Sequence, residues 1–218
     1  MKISEKKKRL SDIVEALKKE YPDSECALKY GGDPWKLLVM GRLSAQCTDQ
    51  RVNEVSIPLF EKYPTAEAMA GASISELEEI VRPCGLYRMK AANLKAASEM
   101  LISDFGGKLP ESMDELLKFP GVGRKIANLL IGDVFGGEAI VCDTHCIRIC
   151  GRLGMYSEKI KDPVKIEFIL RDLIDLKEGS DFCHRIVNFG RQICTARAPK
   201  CNICPLANLC LHNEKSKR

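Results

Sequence analysis

The chain has 218 residues, of which 45% are hydrophobic and 29% charged, and its formal net charge is +4. That length and composition can bury a core, in one domain or in two small ones. No apolar run is long enough for a signal peptide or a membrane span, so we expect a cytoplasmic protein without a membrane partner. In that reducing compartment, the eleven cysteines are not expected to form a disulfide framework.

The charge of the chain is unevenly distributed. Four basic residues and no acidic one lie between Arg82 and Ser98, and seven basic residues face Glu214 alone between Cys183 and Arg218. Clustered Lys and Arg residues are attracted to backbone phosphates, so two basic patches favour a nucleic-acid partner. Solubility alone is the other explanation of the same charge.

Helical spacing of apolar residues begins at the N-terminus. One amphipathic helix, ended by Pro22, is predicted from the spacing of Leu10, Ile13, Val14, Leu17 and Tyr21. Only 6% of the residues are aromatic and alternating runs are few. These features predict an all-α protein without strands.

The next predicted helices flank a polar loop. A strongly apolar, buried helix is predicted from Trp35 to Leu43, interrupted by Gly41 and Arg42. After the loop that holds Gln46, either Thr48 or Asp49 can cap the following helix.

A capping box and a long helix are predicted next. Ser73 and Glu76 have the spacing of a capping box, and Pro83 with Gly85 closes that short helix. The long helix runs from Leu86 to about Asp104. Its predicted inward residues are Ala91, Leu94, Ala97 and Leu101, and its predicted outward residues are Arg88, Lys90 and Lys95.

Residues 119–125, with the sequence FPGVGRK, are predicted to form a hairpin between two helices. Pro120 stops the first helix, and Gly121 and Gly123 allow a sharp turn. Their N–H groups, together with the positive end of the second helix, would form a phosphate-binding site. Proline-glycine turns also occur in proteins that bind no phosphate, but the basic side chains that follow favour binding.

Further helices are predicted after the hairpin. Asp143 or Thr144 is placed to cap a helix that runs through Ile149. Two more helices are predicted over approximately 164–176 and 182–192.

Four cysteines near the C-terminus have the spacing C-x6-C-x2-C-x5-C. They are Cys194, Cys201, Cys204 and Cys210. Four thiolates this close would repel one another unless a metal neutralised them, which predicts a closed metal site. The spacing alone leaves zinc and an iron–sulfur cluster open. The other seven cysteines are interpreted as packing residues.

In these motifs and in their order, the chain resembles the helix-hairpin-helix DNA glycosylase family that carries an iron–sulfur cluster. The matching segments are 43–49 (LSAQCTD), 85–87 (GLY), 119–125, 141–145 (VCDTH) and the four-cysteine loop. The resemblance covers nearly the whole chain. It implies a [4Fe-4S] cluster on the four cysteines.

The resemblance also implies two helical domains with duplex DNA bound in the cleft between them. A six-helix domain, 27–137, would carry the hairpin and Lys125. The second domain, 1–26 plus 138–218, would carry Asp143 and the cluster. Gln46 and Leu86 would lie on loops that enter the duplex and fill the space left by an extruded base. A capping glutamine and a core leucine are the alternative roles of these two residues.

The activity implied by the resemblance is base excision followed by strand cleavage. Lys125 would attack C1′ of a damaged nucleotide, expel the base and form a Schiff base, and β-elimination would cut the strand on the 3′ side. Asp143 would remain ionised and stabilise the cationic sugar. The remaining predicted DNA contacts are Gly121, Val122, Gly123, Arg124, His145, Arg197 and Lys200. The expected substrate is double-stranded DNA with oxidised pyrimidines or abasic sites, bound by a monomer.

Two other functions are considered. A monofunctional mismatch glycosylase would use a carboxylate in the helix before the Gln46 loop and would lack Lys125, yet no Asp or Glu occurs from Trp35 to Gln46. A non-catalytic helix-hairpin-helix DNA-binding protein would not require Lys125 and Asp143 together.

Overall fold

A computed structural model describes residues 2–216, and within them the protein is entirely helical, with no β-strand. The all-α prediction is therefore confirmed. The α-helices of this part of the chain are α1 (Ile3–Glu20), α2 (Pro34–Leu43), α3 (Asp49–Lys62), α4 (Ala66–Ala70), α5 (Ile74–Val81), α6 (Tyr87–Phe105), α7 (Met113–Leu116), α8 (Arg124–Asp133), α9 (Thr144–Arg152), α10 (Pro163–Arg171), α11 (Gly179–Gln192) and α12 (Leu211–Ser216).

The chain divides into two compact units. Unit 1 consists of 1–26 together with 137–218, and unit 2 consists of 27–136. Unit 1 therefore contains both ends of the chain. Lys217 and Arg218, the last two residues of the C-terminal basic stretch, lie outside the described residues.

Unit 2 is built around α6, which packs against α4 and α5. The predicted inward face of this helix is buried, namely Ala91, Leu94, Ala97 and Leu101. The helix ends at Gly106, whose φ of 58° lies in the left-handed region that glycine adopts at helix C-termini. Helix α2 packs against α8, which follows the predicted hairpin.

Gly41 and Arg42 do not interrupt α2, contrary to the prediction. Both lie inside the helix and are buried. A Cβ atom added at Gly41 would lie 3.3 Å from Cγ2 of Ile126, so the missing side chain lets α8 approach closely. The two residues are thus part of the packing of α2 rather than a break in it.

The predicted capping box at Ser73 does not form. Ser73 is the N-cap residue of α5, but its Oγ hydrogen-bonds to Oγ of Ser75 at 2.8 Å. The Glu76 carboxylate accepts a hydrogen bond from the Tyr63 hydroxyl at 2.8 Å and pairs with Lys62 at 3.0 Å. Both partners of Glu76 lie on another segment of unit 2, so a tertiary contact replaces the local one.

Lys90 was predicted to face outward, and this prediction is wrong. The side chain is 0% exposed and is among the largest fully buried side chains of the described residues. Its ammonium donates to three backbone carbonyls, which replace the hydrogen bonds of water. Burial lowers the pKa of Lys90, an effect opposed by the nearby Cys84 and Cys47 thiols.

Unit 1 is organised around α11, which packs against α1 and α9. Helix α1 buries the predicted apolar face, formed by Leu10, Ile13, Val14 and Leu17. Gly190 in α11 lies so close to α9 that a Cβ atom there would overlap His145. This close approach brings the α9 side chains and the chain after α11 together.

Helix α10 is shorter than predicted. It begins after Asp162, whose Oδ1 accepts from the Val164 N–H at 2.9 Å, and it ends at Arg171. Asp175 then caps a separate 3-10 turn, Leu176–Glu178. The sequence predicted one helix through Leu176, but the cap at Asp175 begins a separate helical element.

None of the helices within residues 2–216 combines the length and the apolar character needed to cross a lipid bilayer.

Candidate functional site

The predicted hairpin is present between α7 and α8. The Val122 N–H donates to the Phe119 carbonyl at 3.0 Å, which closes the turn. Gly121 has φ of 79°, in the left-handed region, whereas Gly123 has φ of −106° and serves as the N-cap residue of α8. Position 121 therefore requires glycine for its backbone conformation, whereas position 123 does not. The prediction that both glycines make the turn is half correct.

The hairpin leaves backbone donors without partners. Among the described residues, the N–H groups of Gly121 and Gly123 donate no hydrogen bond. They lie next to the N-terminal end of α8, where the helix dipole is positive. Donors at a helix N-terminus suit a phosphate oxygen, which agrees with the predicted phosphate-binding site.

Arg42 supports the hairpin from beneath, a role that the sequence did not indicate. Its side chain is 7% exposed, and the guanidinium lies against the backbone of Gly121. With its amide oxygen facing this guanidinium, Asn93 accepts from Nη2 at 2.9 Å and from Nε at 3.0 Å. Burial lowers the pKa of Arg42. The hydrogen-bonded pair of Arg42, from α2, and Asn93, from α6, holds the turn in place.

We expect Gly121→Ala to lower the thermal midpoint by about 5–10 °C, because an alanine at positive φ is strained and its Cβ would overlap Arg42 and Asn93. The free energy of unfolding should fall by about 2–4 kcal/mol. Thermal and urea unfolding followed by circular dichroism measure both quantities.

Gly123→Ala is the matched control. Its φ suits any residue, and nothing lies within 4 Å of the added Cβ. The only expected loss is the preference of glycine over alanine at an N-cap, about 0.5 kcal/mol. Equal destabilisation by the two substitutions would contradict the role assigned to Arg42 and the left-handed turn.

Lys125 is the second residue of α8, and its side chain is exposed. Among the described residues, no carboxylate lies within salt-bridge distance of its ammonium. Arg124 begins the helix and is half-buried. The hairpin thus presents one open amine directly beside its unpaired N–H groups.

Asp143 is the N-cap residue of α9. Its Oδ1 accepts from the Cys146 N–H at 2.7 Å, and the side chain is half-buried. Of the two capping candidates, Asp143 is therefore the one used. The half-buried His145 follows, with its Nδ1 3.2 Å from Nη2 of Arg148. Lys125 belongs to unit 2 and Asp143 to unit 1.

Gln46 and Leu86 share an unusual backbone conformation. Their φ angles are 55° and 49°, and in residues 2–216 they are the only positive values outside glycine. Both side chains are exposed, and Leu86 is 48% exposed, which excludes a core leucine. Thr48, not Gln46, caps α3. Both alternative roles are thereby removed.

The four cysteines of the C-terminal loop line one cavity, together with Arg152 and Lys200. Nη1 of Arg152 lies 3.3 Å from Sγ of Cys194 and donates to the Thr195 carbonyl at 2.8 Å. Sγ of Cys210 is 3.6 Å from the Arg152 carbonyl. The loop is thus folded around a cavity that is lined by its four cysteines and by Arg152.

The donor set fits an iron–sulfur cluster. Four cysteines that line one cavity are the ligand set by which iron–sulfur clusters are held. Burial raises the pKa of the Cys204 thiol to about 11, and as a cluster ligand this side chain would be held as a thiolate.

Arginines outside the loop hold its backbone. Arg148 donates to the Cys194 carbonyl at 3.0 Å, and Arg9 donates to the Leu209 carbonyl at 2.8 Å. Arg197 and Lys200, the predicted phosphate contacts, are exposed on the same loop. Sequence spacing indicated the exposed pair but not Arg9, Arg148 or Arg152, because their acceptors are distant in sequence.

The fold and these sites define a class of all-helical proteins that combines a helix-hairpin-helix element with a four-cysteine centre. Residues 39–175 match the model of the HhH-GPD superfamily base excision DNA repair proteins, and residues 194–210 match the iron-sulfur binding domain of endonuclease III.

Similar proteins are found along almost the whole chain. The chain is 43% identical to endonuclease III of Synechocystis sp. and 40% identical to that of Bacillus subtilis, over at least 95% of this chain and 94% of each relative. A structure of a trapped endonuclease III-DNA covalent intermediate is similar, with TM-score 0.91, 40% identity, and 97% and 99% of the two chains covered. A thermostable thymine-DNA glycosylase, 24% identical with TM-score 0.87, has the same fold.

The chain belongs to the HhH-GPD superfamily of base excision DNA repair proteins and, within it, to the endonuclease III family. It is accordingly a DNA glycosylase and AP lyase of base excision repair that carries a [4Fe-4S] cluster. The predicted class of enzyme and its cofactor are both confirmed.

Proposed function

We propose that the enzyme removes oxidised pyrimidines from duplex DNA and then cleaves the strand with Lys125 as nucleophile and Asp143 as the ionised partner. The observation that carries this proposal is the exposed Lys125 amine beside the unpaired Gly121 and Gly123 N–H groups. A phosphate held by these donors would bring the adjoining sugar within reach of the amine.

The proposed reaction has two stages. The neutral amine of Lys125 attacks C1′, the C1′–N bond breaks, and the damaged base leaves with its electron pair. The sugar ring then opens to an iminium on Lys125. Loss of a proton from C2′ expels the 3′ phosphate, and water hydrolyses the imine to free the enzyme.

Asp143 has two proposed tasks. Its carboxylate stabilises positive charge on the sugar while the base departs, and it assists the loss of a proton from Lys125. The same Oδ1 that caps α9 keeps the side chain in one orientation. The carboxylate is therefore already oriented before substrate binds.

The proposed contacts with DNA come from both units. Gly121, Val122, Gly123 and Arg124 bind the backbone at the hairpin, and Gln46 with Leu86 fills the space left by the extruded base. On unit 1, the proposed backbone contacts are His145, Arg197 and Lys200. When bound, the [4Fe-4S] cluster supplies the fixed centre around which the loop carrying Arg197 and Lys200 folds.

The structure of a trapped endonuclease III-DNA covalent intermediate supports the proposal, since that relative forms a covalent bond with DNA. Duplex DNA with damaged bases or abasic sites is the proposed partner of this chain, bound by a monomer in the cytoplasm. A monofunctional glycosylase is less consistent, because α2 has no carboxylate from Trp35 to Leu43.

Borohydride trapping tests the lyase. Incubation of the wild-type protein with duplex DNA that contains one abasic site should give a covalent adduct on a denaturing gel. Without borohydride, the strand should be cut on the 3′ side. A folded, cluster-loaded protein that forms no adduct contradicts the lyase proposal, and base release without an adduct identifies the monofunctional alternative.

Lesion preference is measured separately. Duplexes with an oxidised pyrimidine should lose the base, whereas duplexes with an adenine–guanine mismatch or an oxidised guanine opposite cytosine should lose little. Faster release of a purine would overturn the substrate assignment without affecting the lyase result.

A further inference from the structure

The most unusual buried group outside the proposed catalytic pair is the ammonium of Lys90. It lies in the first turns of α6, is 0% exposed, and has no carboxylate within salt-bridge distance among residues 2–216. An ammonium has three protons to donate. Each is matched by a backbone carbonyl at 2.8 Å, from Leu43, Ala45 and Cys84.

These three carbonyls come from two separate loops. Leu43 ends α2, and Ala45 immediately precedes Gln46. Cys84 ends the 3-10 turn that precedes Gly85 and Leu86. One buried cation therefore joins the loop of Gln46 (residues 43–47) to the loop of Leu86 (residues 84–86), which are about forty residues apart in sequence.

Both loops are strained where they reach the surface. Gln46 and Leu86 have left-handed backbones, a conformation that side chains with a Cβ rarely adopt. Such strain persists only when surrounding contacts over-determine it, and it is common at sites where function needs a fixed geometry. The bonds to Lys90 fix the backbone one residue before Gln46 and two residues before Leu86.

We propose that Lys90 is a positioning residue that locks the Gln46 and Leu86 loops to each other, so that both side chains enter the duplex as one rigid unit. This inference rests on the proposed function, in which these two side chains fill the space of the extruded base. Extruding a base costs stacking and pairing energy, so loops that need no ordering upon binding lower the barrier to extrusion.

Lys90→Met is the variant that tests the lock. Methionine has a similar length and fits an apolar site, but it donates no hydrogen bond, so the three carbonyls, two of them in buried hydrogen bonds, lose their partner. Lys95→Met is the matched control, since Lys95 lies on the same helix and its ammonium donates at 2.8 Å to the carbonyls of Ala70 and Ala72, outside both loops.

The first measurement needs no DNA. The Cys47 N–H donates to the Ser44 carbonyl, and the Gly85 N–H donates to the Arg82 carbonyl, each at 3.1 Å, so both amides report on their loops. We expect Lys90→Met to accelerate hydrogen exchange at both amides by about tenfold or more. Lys95→Met should leave both unchanged and accelerate exchange near Ala72 instead.

The second measurement compares two substrates. Base removal from damaged duplex DNA needs the loops to fill a gap, whereas borohydride trapping on single-stranded abasic DNA does not. Lys90→Met should reduce the first rate by about tenfold or more and leave the second within about twofold, because Lys125 is untouched. A general loss of structure would reduce both rates together, so the ratio separates positioning from folding.

The outcomes distinguish the two proposals. Unchanged exchange at Cys47 and Gly85, or acceleration in only one loop, overturns the lock. In a variant that remains folded, an unchanged ratio of the two rates overturns its role in base extrusion. Absence of any wild-type adduct overturns the proposed lyase function, while the exchange result still decides the lock. Should Lys90→Met not fold, Lys90→Gln, whose amide keeps two donor protons, serves in the same measurements.

Discussion

Lys125→Gln is expected to abolish the borohydride adduct and to lower strand cleavage at abasic sites by about 10³–10⁵-fold. Glutamine preserves most of the side-chain length, but its amide nitrogen is not nucleophilic and cannot form an imine. The measurement is single-turnover cleavage of an abasic duplex, with trapping in parallel.

The substitution should leave the fold intact. Lys125 is exposed and makes no salt bridge among the described residues, so the free energy of unfolding should change by less than about 0.5 kcal/mol. Lys118→Gln, an exposed lysine just before the hairpin, is the matched control and should retain the adduct. An adduct of undiminished yield in Lys125→Gln would show that another amine is the nucleophile.

Asp143→Asn is expected to lower base removal by about 10²–10⁴-fold with little loss of stability. The reason is that the residue has two roles that depend on different properties. Its Oδ1 accepts from the Cys146 N–H at 2.7 Å, and asparagine keeps that oxygen and is an equally good N-cap. Only the negative charge is lost.

Asp162→Asn controls for the removal of a charge from a cap. Asp162 caps α10 by accepting from the Val164 and Lys165 N–H groups at 2.9 and 3.3 Å, and it has no proposed role in catalysis. Both variants should keep their thermal midpoints within about 2 °C of the wild type. Wild-type rates in Asp143→Asn would reduce Asp143 to a helix cap.

Local signals predicted many helices and the hairpin correctly. Helix α1 buries the face that its spacing indicated, and the hairpin lies where Pro120 and the glycines predicted it. These elements depend on neighbours within a few residues, so sequence periodicity and turn residues are sufficient to find them.

The wrong predictions share a cause. Lys90 was placed outward because a lysine is normally solvated, and the Ser73 capping box was expected because its spacing is correct. In the structure, carbonyls from two other loops bind Lys90, and Tyr63 with Lys62 binds Glu76. Contacts distant in sequence outcompete local preferences in each case, and no local pattern encodes them.

The sequence by itself determined the chemistry that the protein carries: a hairpin ending in a lysine, a capping aspartate, and four cysteines at metal-binding spacing. Each of these is a property of residue type and short spacing. The tertiary structure alone decided what holds the hairpin, the loops of Gln46 and Leu86, and the cysteine loop in place. Arg42 beneath Gly121 and Lys90 between the loops of Gln46 and Leu86 are buried cations, and the half-buried Arg152 lies beside Cys194. A buried cation is stable only where several acceptors converge on it, and that convergence exists only once the helices have packed.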